Sequence, residues 1–177
     1  PHFEKYNFSS MRLFVSGSAP LTRDLFYKLK KAFGKEILER AGMSETMMNF
    51  STPYNGDRIP GSVGPCLPGV KVRITDKNFN DVPINTVGEI LLKGPNVFHG
   101  YWNKPSYNKQ AFKDGWFITG DVGKMDERDY VYLIGRSKDV IISGGINIYP
   151  REIEDVIESM PEIKECAVVG IPDKEFG

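Results

Sequence analysis

"DGWFITGDVGKMDERDYVYLIGRSKD" occupies residues 114–139. Apolar runs flank the polar stretch Asp126, Glu127, Arg128 and Asp129, a pattern that predicts a β-hairpin. With Asp126 paired to Asp129, Thr119 faces Arg136, and Asp121 is the diagonal neighbour of Arg136 on the same face. Diagonal neighbours sit roughly 7–8 Å apart, within reach of long side chains. Two readings of this acid and arginine stand open. One is a surface ion pair worth at most about 1 kcal/mol. The other is a ligand grip, in which the carboxylate accepts from two hydroxyls of a sugar diol and the guanidinium donates to the sugar or a phosphate.

Upstream of the hairpin, the apolar run Met11–Val15 stops at Ser16-Gly17-Ser18-Ala19-Pro20. A helical pattern follows, with Leu25, Leu29, Ala32 and Phe33 on one face, Phe26 beside them and Gly34 as the stop. "KEILER" (35–40) reads as a second short strand, giving a βαβ unit with parallel strands. The loops "SGSAP" and "AGMSET" then leave the carboxyl ends of two parallel strands, where open α/β sheets bind ligands. Each has a plainer alternative: a tight strand-to-helix turn for the first, and a helix N-cap at Ser44 for the second. From Asn55 to Gly135 the texture is antiparallel, with "GVKVRITD", "VGEILLKG" and the hairpin punctuated by Gly and Pro, so a barrel-like β subdomain is expected. After Lys138, "DVIISGGINIYP" reads as a hairpin. "PREIEDVIESM" reads as a helix with Ile153, Val156, Ile157 and Met160 inward, and "KECAVVGIP" as a strand.

Composition narrows the function classes. The 177 residues are 40% hydrophobic and 26% charged, with 23 basic and 23 acidic side chains, which gives no bulk charge for a nucleic-acid partner. No apolar run approaches the roughly 18 residues needed for a membrane span. Cys66 and Cys166 form no CxxC, which suits a reducing cytoplasm. His2 and His99 lack metal spacing, and without a GxSxG elbow a histidine triad is not expected. Pro1 is no initiator methionine, and "ECAVVGIPDKEFG" reads as a strand and turn with nothing beyond it, so an excised piece of a longer protein is expected. The expected fold is α+β: residues 1–137 as part of a large domain (1–54 α/β, 55–137 barrel-like) and residues 138–177 as the beginning of a small one.

The motifs "SGSAPL" (16–21), "ERAGMSET" (39–46), "GSVGPCLPGVKVRI" (61–74), "GEILLKGPNVFHGYWNKP" (88–105), "DGWFITGDVG" (114–123) and "GRSKDVIISGGINIYPREIE" (135–154) run through nearly the whole chain. In this order they resemble the adenylate-forming acyl-CoA synthetases, the group that includes firefly luciferase and nonribosomal peptide adenylation domains. The wording is most similar to acid–CoA ligases. The resemblance implies a two-step reaction. A carboxylic acid, fatty in the first instance, attacks the α-phosphate of Mg·ATP to give acyl-AMP, and coenzyme A then displaces AMP. Catalysis of that kind is positioning and charge stabilisation, with no protein nucleophile.

Roles follow by the same resemblance. Asp121 would hold the ribose hydroxyls, and Arg136 the ribose and nearby phosphate. Glu45 would be the Mg²⁺ ligand, a hard oxygen donor, and Ser44 would turn its hydroxyl toward phosphate. Gly17, Ser18, Ala19 and Pro20, with Ala41, Gly42 and Met43, would line the nucleotide and acyl pocket. Lys138 matches a hinge, and Gly144 and Gly145 the turn lining the tunnel for the coenzyme A arm. Ala41 departs from the family, which commonly carries a stacking Tyr there; losing such a stack costs about 1–3 kcal/mol by analogy with single-strand binding. The family's phosphate loop and the catalytic lysine of its C-terminal domain have no counterpart in this sequence, so the piece alone is expected to be inactive. Two alternatives remain: a ligase that loads a carrier protein, and a degenerate member that only binds nucleotide. The acid's identity and the oligomeric state are not legible.

Overall fold

A computed structural model describes residues 5–176, which leaves His2 outside. Strand β1 (Val15–Ser16) pairs in parallel with β2 (Leu38–Met43) across helix α1 (Arg23–Phe33), so the βαβ unit stands. Thr22 caps α1, its hydroxyl accepting from the Leu25 N–H. Gly34 closes the helix in the left-handed region at φ 68°, where a residue without Cβ carries no penalty. The buried face differs from the expected one. Phe26 is buried with Leu21 and Ile37, and Leu29, Phe33 and Phe14 pack against them. Leu25 and Ala32 are exposed, because the stripe that meets the sheet is centred on Phe26, one position round the helix.

The second ligand loop is also corrected. β2 continues through Ala41 and Gly42 to Met43, turns at Ser44–Thr46 and returns as the antiparallel strand β3 (Met47–Ser51). Ala41, Gly42 and Met43 therefore lie on a strand, and Ser44 sits in a hairpin turn instead of capping a helix. Gly42 makes this possible: a Cβ there would lie 1.9 Å from the Met47 carbonyl oxygen.

A five-stranded sheet follows, built from β4 (Lys71–Thr75), β5 (Gly88–Lys93), β6 (Phe112–Lys113), β7 (Trp116–Met125) and β8 (Val131–Arg136). Its order is β4-β5-β7-β6, with β8 also on β7, and every pairing is antiparallel. It remains an open sheet, with α2 (Pro105–Ala111), a helix not anticipated from sequence, leading into β6. Ile90, Leu91 and Leu92 of β5 are all buried, so both faces of that strand are covered. Phe50, Ile74, Ile90, Leu92 and Val131 form the main core. A strap at residues 62–66 ties this sheet to the β2–β3 hairpin. The Val63 N–H donates to the Val131 carbonyl (3.0 Å), the Val131 N–H to Gly64 (3.1 Å) and the Ser51 N–H to Pro65 (3.2 Å). Gly64 fits there at φ 84°, with a hypothetical Cβ only 2.3 Å from the Ser51 backbone.

The hairpin of residues 114–139 forms, in a different register. Asp126 pairs with Tyr130, the Asp126 carboxylate accepts from the N–H groups of Arg128 and Tyr130, and Asp129 takes φ 62°. The loop is thus one residue longer than expected. A bulge between Val122 and Gly123 adds a second offset, and Asp121 lies directly opposite Arg136.

Beyond it, a 3₁₀ turn (Ser137–Asp139) leads to strands β9 (Ile141–Ser143) and β10 (Ile146–Ile148), joined by Gly144 and Gly145 at φ 55° and 83°, the turn that paired glycines favour. Helix α3 (Pro150–Glu158) follows. Two expectations fail here. Ile153, Val156 and Met160 are exposed, because no described element covers that face. Residues 165–171 form no strand: no neighbouring strand offers a ladder, and the Val168 N–H donates to the Glu154 carboxylate instead.

Candidate functional site

One cleft of about 1020 Å³ gathers most of the candidate residues. Gly17, Ser18, Ala19 and Pro20 line it from the loop after β1, Ala41 and Gly42 from β2, and Asp121 and Arg136 from the mouth of the β7–β8 hairpin. Lys138 and Asp139 line it from the 3₁₀ turn, and Tyr149 and Arg151 from the start of α3. Met43, Ser44 and Glu45 are not among its lining residues, and neither are Gly144 and Gly145. The glycine turn lies apart, its Gly144 N–H donating to the Phe176 carbonyl at 2.9 Å.

Asp121 and Arg136 form an ion pair at 3.0 Å, with Arg136 the more exposed partner. The Asp121 backbone is held from below: its N–H donates to the Thr119 hydroxyl, which donates to the Ile90 carbonyl at 2.7 Å. Gly120, at φ 72°, supplies the kink that brings Thr119 and Asp121 into this relation, while Gly135 has open space beside it. Burial pushes the Asp121 carboxyl above its ordinary range; Arg136 pulls it back and the nearby Glu45 charge pushes it further up. A carboxylate so placed gains from any donor that arrives in the cleft.

Glu45 sits at the tip of the β2–β3 turn. Its carbonyl accepts from the Phe98 N–H at 2.8 Å, and its Oε1 accepts from the Tyr101 hydroxyl at 3.0 Å. The same segment holds the next residue of the turn through Asn96, whose amide donates to the Thr46 carbonyl. Burial, then the bond to Glu45, pushes the Tyr101 phenol up, so it remains a donor.

Glu39 is a cleft residue that the sequence reading passed over. Only 6% of it is exposed, and its Oε1 has no hydrogen-bond partner among the described residues. Burial raises its carboxyl to about 7, against a smaller downward pull from the Gly61 N–H. The signal that would have found it is its place in "ERAGMSET", two residues before Ala41 and hence on the same face of the strand. Arg40 lines the cleft as well, next to Gly17, where a Cβ would meet the Arg40 carbonyl at 3.0 Å. Among the described residues Arg40 makes no ion pair. No cluster of three or more His, Cys, Asp or Glu suited to a metal occurs among the described residues. None of their helices is long and apolar enough to cross a membrane.

Comparison with known proteins shows what the chain is similar to. The family described as AMP-binding enzyme matches residues 1–102. The long-chain-fatty-acid–CoA ligase of Bacillus subtilis is 39% identical over the whole chain, which covers 32% of that relative. The malonate–CoA ligase of Arabidopsis thaliana is 41% identical over 94% of the chain and 27% of the relative. Among solved structures, ATP-bound MatB from Rhodopseudomonas palustris superposes with a TM-score of 0.90 at 54% identity, over 94% of this chain and 33% of that one. The chain thus spans about a third of the length of the curated relatives it matches.

Proposed function

The chain belongs to the AMP-binding enzyme family, and from that premise we propose that it is part of an acid–CoA ligase that activates a carboxylic acid with ATP as acyl-AMP and passes the acyl group to coenzyme A. The observation that carries the reading is the Asp121–Arg136 pair on the cleft wall. In this reading Asp121 accepts from both ribose hydroxyls while Arg136 donates to the ribose and phosphate, a charge-assisted grip on the sugar-phosphate. The orphaned Oε1 of Glu39 fits a nucleotide too, since a buried acceptor without a partner is satisfied by a ligand N–H or O–H. Gly17–Pro20 and Ala41–Gly42 let the base approach the backbone closely, and Ala41 leaves open the space that a stacking ring would fill. Lys138 serves as the hinge, with residues 1–137 and 138–177 belonging to a large and a small domain.

Glu45 fits a magnesium ion by donor type, being a hard oxygen donor on a turn held at the Glu45 and Thr46 carbonyls, and Ser44 beside it would turn its hydroxyl toward phosphate. When bound, that ion neutralises phosphate charge as the α-phosphate is attacked. The chain's own contribution is to orient: Arg136 beside the phosphate, Asp121 on the sugar, Gly144 and Gly145 beside the arm of coenzyme A.

The relatives act on different acids, and Arg40 bears on the choice. Arg40 lines the cleft and makes no ion pair among the described residues, and a guanidinium turned into the cleft would complement a second carboxylate better than an alkyl tail. It favours a short dicarboxylic acid over the fatty acid. Acid-dependent pyrophosphate–ATP exchange with malonate and palmitate side by side separates the two.

The test of the main reading is Asp121→Ala in the intact ligase. The apparent KM for ATP should rise and adenylation should slow, for a combined loss of about 10- to 150-fold from the missing charged hydrogen bonds. Unchanged exchange kinetics would return the pair to a surface ion pair.

A further inference from the structure

We infer that Tyr101 is a positioning residue for Glu45, fixing the carboxylate that would hold the metal; this rests on the reading of Glu45 as the magnesium ligand. The Tyr101 hydroxyl donates to Glu45 Oε1 at 3.0 Å, and Oε2 has no hydrogen-bond partner among the described residues. One oxygen is thus tethered and the other left for a ligand. Free in solution, a glutamate side chain samples many rotamers; a bond to one oxygen selects among them before the ligand arrives.

The tether is itself braced. The Tyr101 N–H donates to Asn108 Oδ1 at 2.7 Å, and Asn108 Nδ2 donates back to the Tyr101 carbonyl at 3.0 Å. Asn108 lies on α2, so the helix that sequence reading missed anchors the residue. Gly100, at φ 140°, is needed for that clasp, since a Cβ there would come within 2.9 Å of the Asn108 amide. The Phe98 ring meets the Tyr101 ring edge-on at 4.8 Å, and the Phe98 N–H holds the Glu45 carbonyl. Residues 98–101 therefore grip Glu45 at both backbone and side chain. Partners that orient a metal ligand in this way are worth roughly 10- to 100-fold in metal affinity.

Tyr101→Phe removes the hydroxyl and keeps the ring on Phe98. In the intact ligase, Mn²⁺ affinity of the enzyme–ATP complex is read by electron paramagnetic resonance, and metal-free ATP affinity by calorimetry. Tyr101→Phe should weaken Mn²⁺ about 10- to 100-fold and leave metal-free ATP binding unchanged. Glu45→Gln should weaken Mn²⁺ at least as much, and the double variant should lose no more than Glu45→Gln alone. Wild-type Mn²⁺ affinity in Tyr101→Phe beside a weakened Glu45→Gln overturns the positioning role and leaves Glu45 as the ligand. Unchanged affinity in Glu45→Gln overturns both. Equal losses of metal-free ATP and Mn²⁺ binding in Tyr101→Phe would make the hydroxyl a general support of the loop and overturn the inference.

Discussion

Strand β5 and helix α3 carry comparable apolar content and meet opposite fates. In β5, Ile90, Leu91 and Leu92 are at most 1% exposed. In α3, whose period points Ile153 and Val156 to one side with Met160 just beyond its end, Val156 is 63% exposed. Periodicity identifies an element and which of its sides is apolar. Burial requires something to press against that side, and only β5 has neighbours on both faces. The same split separates the two ends of the cleft: the wall made of Ala41, Asp121 and Arg136 stands on the two sheets that share the main core, while the wall from Tyr149 onward stands on structure with few buried residues.

The contrast breaks or sharpens under mutation. Leu91→Ala should cost about 2–5 kcal/mol, because a fully enclosed side chain leaves a cavity; urea unfolding of the chain measures it. A cost under 1 kcal/mol would mean that β5 is not the packed centre. Glu39→Gln tests the buried wall of the cleft. The folded chain holds the Glu39 proton more tightly than the unfolded chain, with a value near 7 against the ordinary 4.5. Its contribution to stability is therefore intact below the ordinary value and is lost as pH rises through 7. The variant should match the parent at pH 4 and exceed it at pH 8 by up to roughly 3 kcal/mol. Melting curves at the two pH values check this, and equal stability at both would show a solvated carboxylate. Val156→Ser on α3 should change stability by less than about 0.5 kcal/mol. A loss above 1 kcal/mol would reveal that its face is covered.

Much of the cleft's lining was legible because its motifs are short-range residue choices. Asp121, Arg136, Gly17–Pro20, Ala41, Gly42 and Lys138 meet in one cleft, while Met43, Ser44, Glu45, Gly144 and Gly145 lie outside its lining. The register was not legible. Asp126 spends its carboxylate on its own loop, which lengthens the turn by one residue, and the bulge at Val122 adds another. The two offsets together move Asp121 by two positions, which preserves its face and turns a diagonal neighbour into a direct one. The β2–β3 turn was misread because Ser44 serves as well in a tight turn as in a cap, and the decisive fact is the close approach of Met47 to Gly42. Helix α2 was missed because its seven residues bury nothing and so carry no apolar stripe. Glu39 was passed over because its burial is a matter of tertiary packing, and the Gly61 N–H that meets its carboxyl lies far along the chain.

The strap at residues 62–66 has a bearing on how the chain folds. The Ser62 hydroxyl reaches the Val131 carbonyl across 69 positions, and the Tyr130 hydroxyl reaches Asp57 across 73. Pairings between β4 and β5, or β7 and β8, close far shorter loops. Entropy of closure rises with the logarithm of loop length, and distant pairings form more slowly than local ones. Local closure therefore favours these hairpins ahead of the strap, and the space between Ala41 on β2 and Asp121 on β7 is complete only once the strap joins the two sheets. The cleft is in that sense a late product of folding, a space bounded by parts whose own contacts are more local than the contacts that join them.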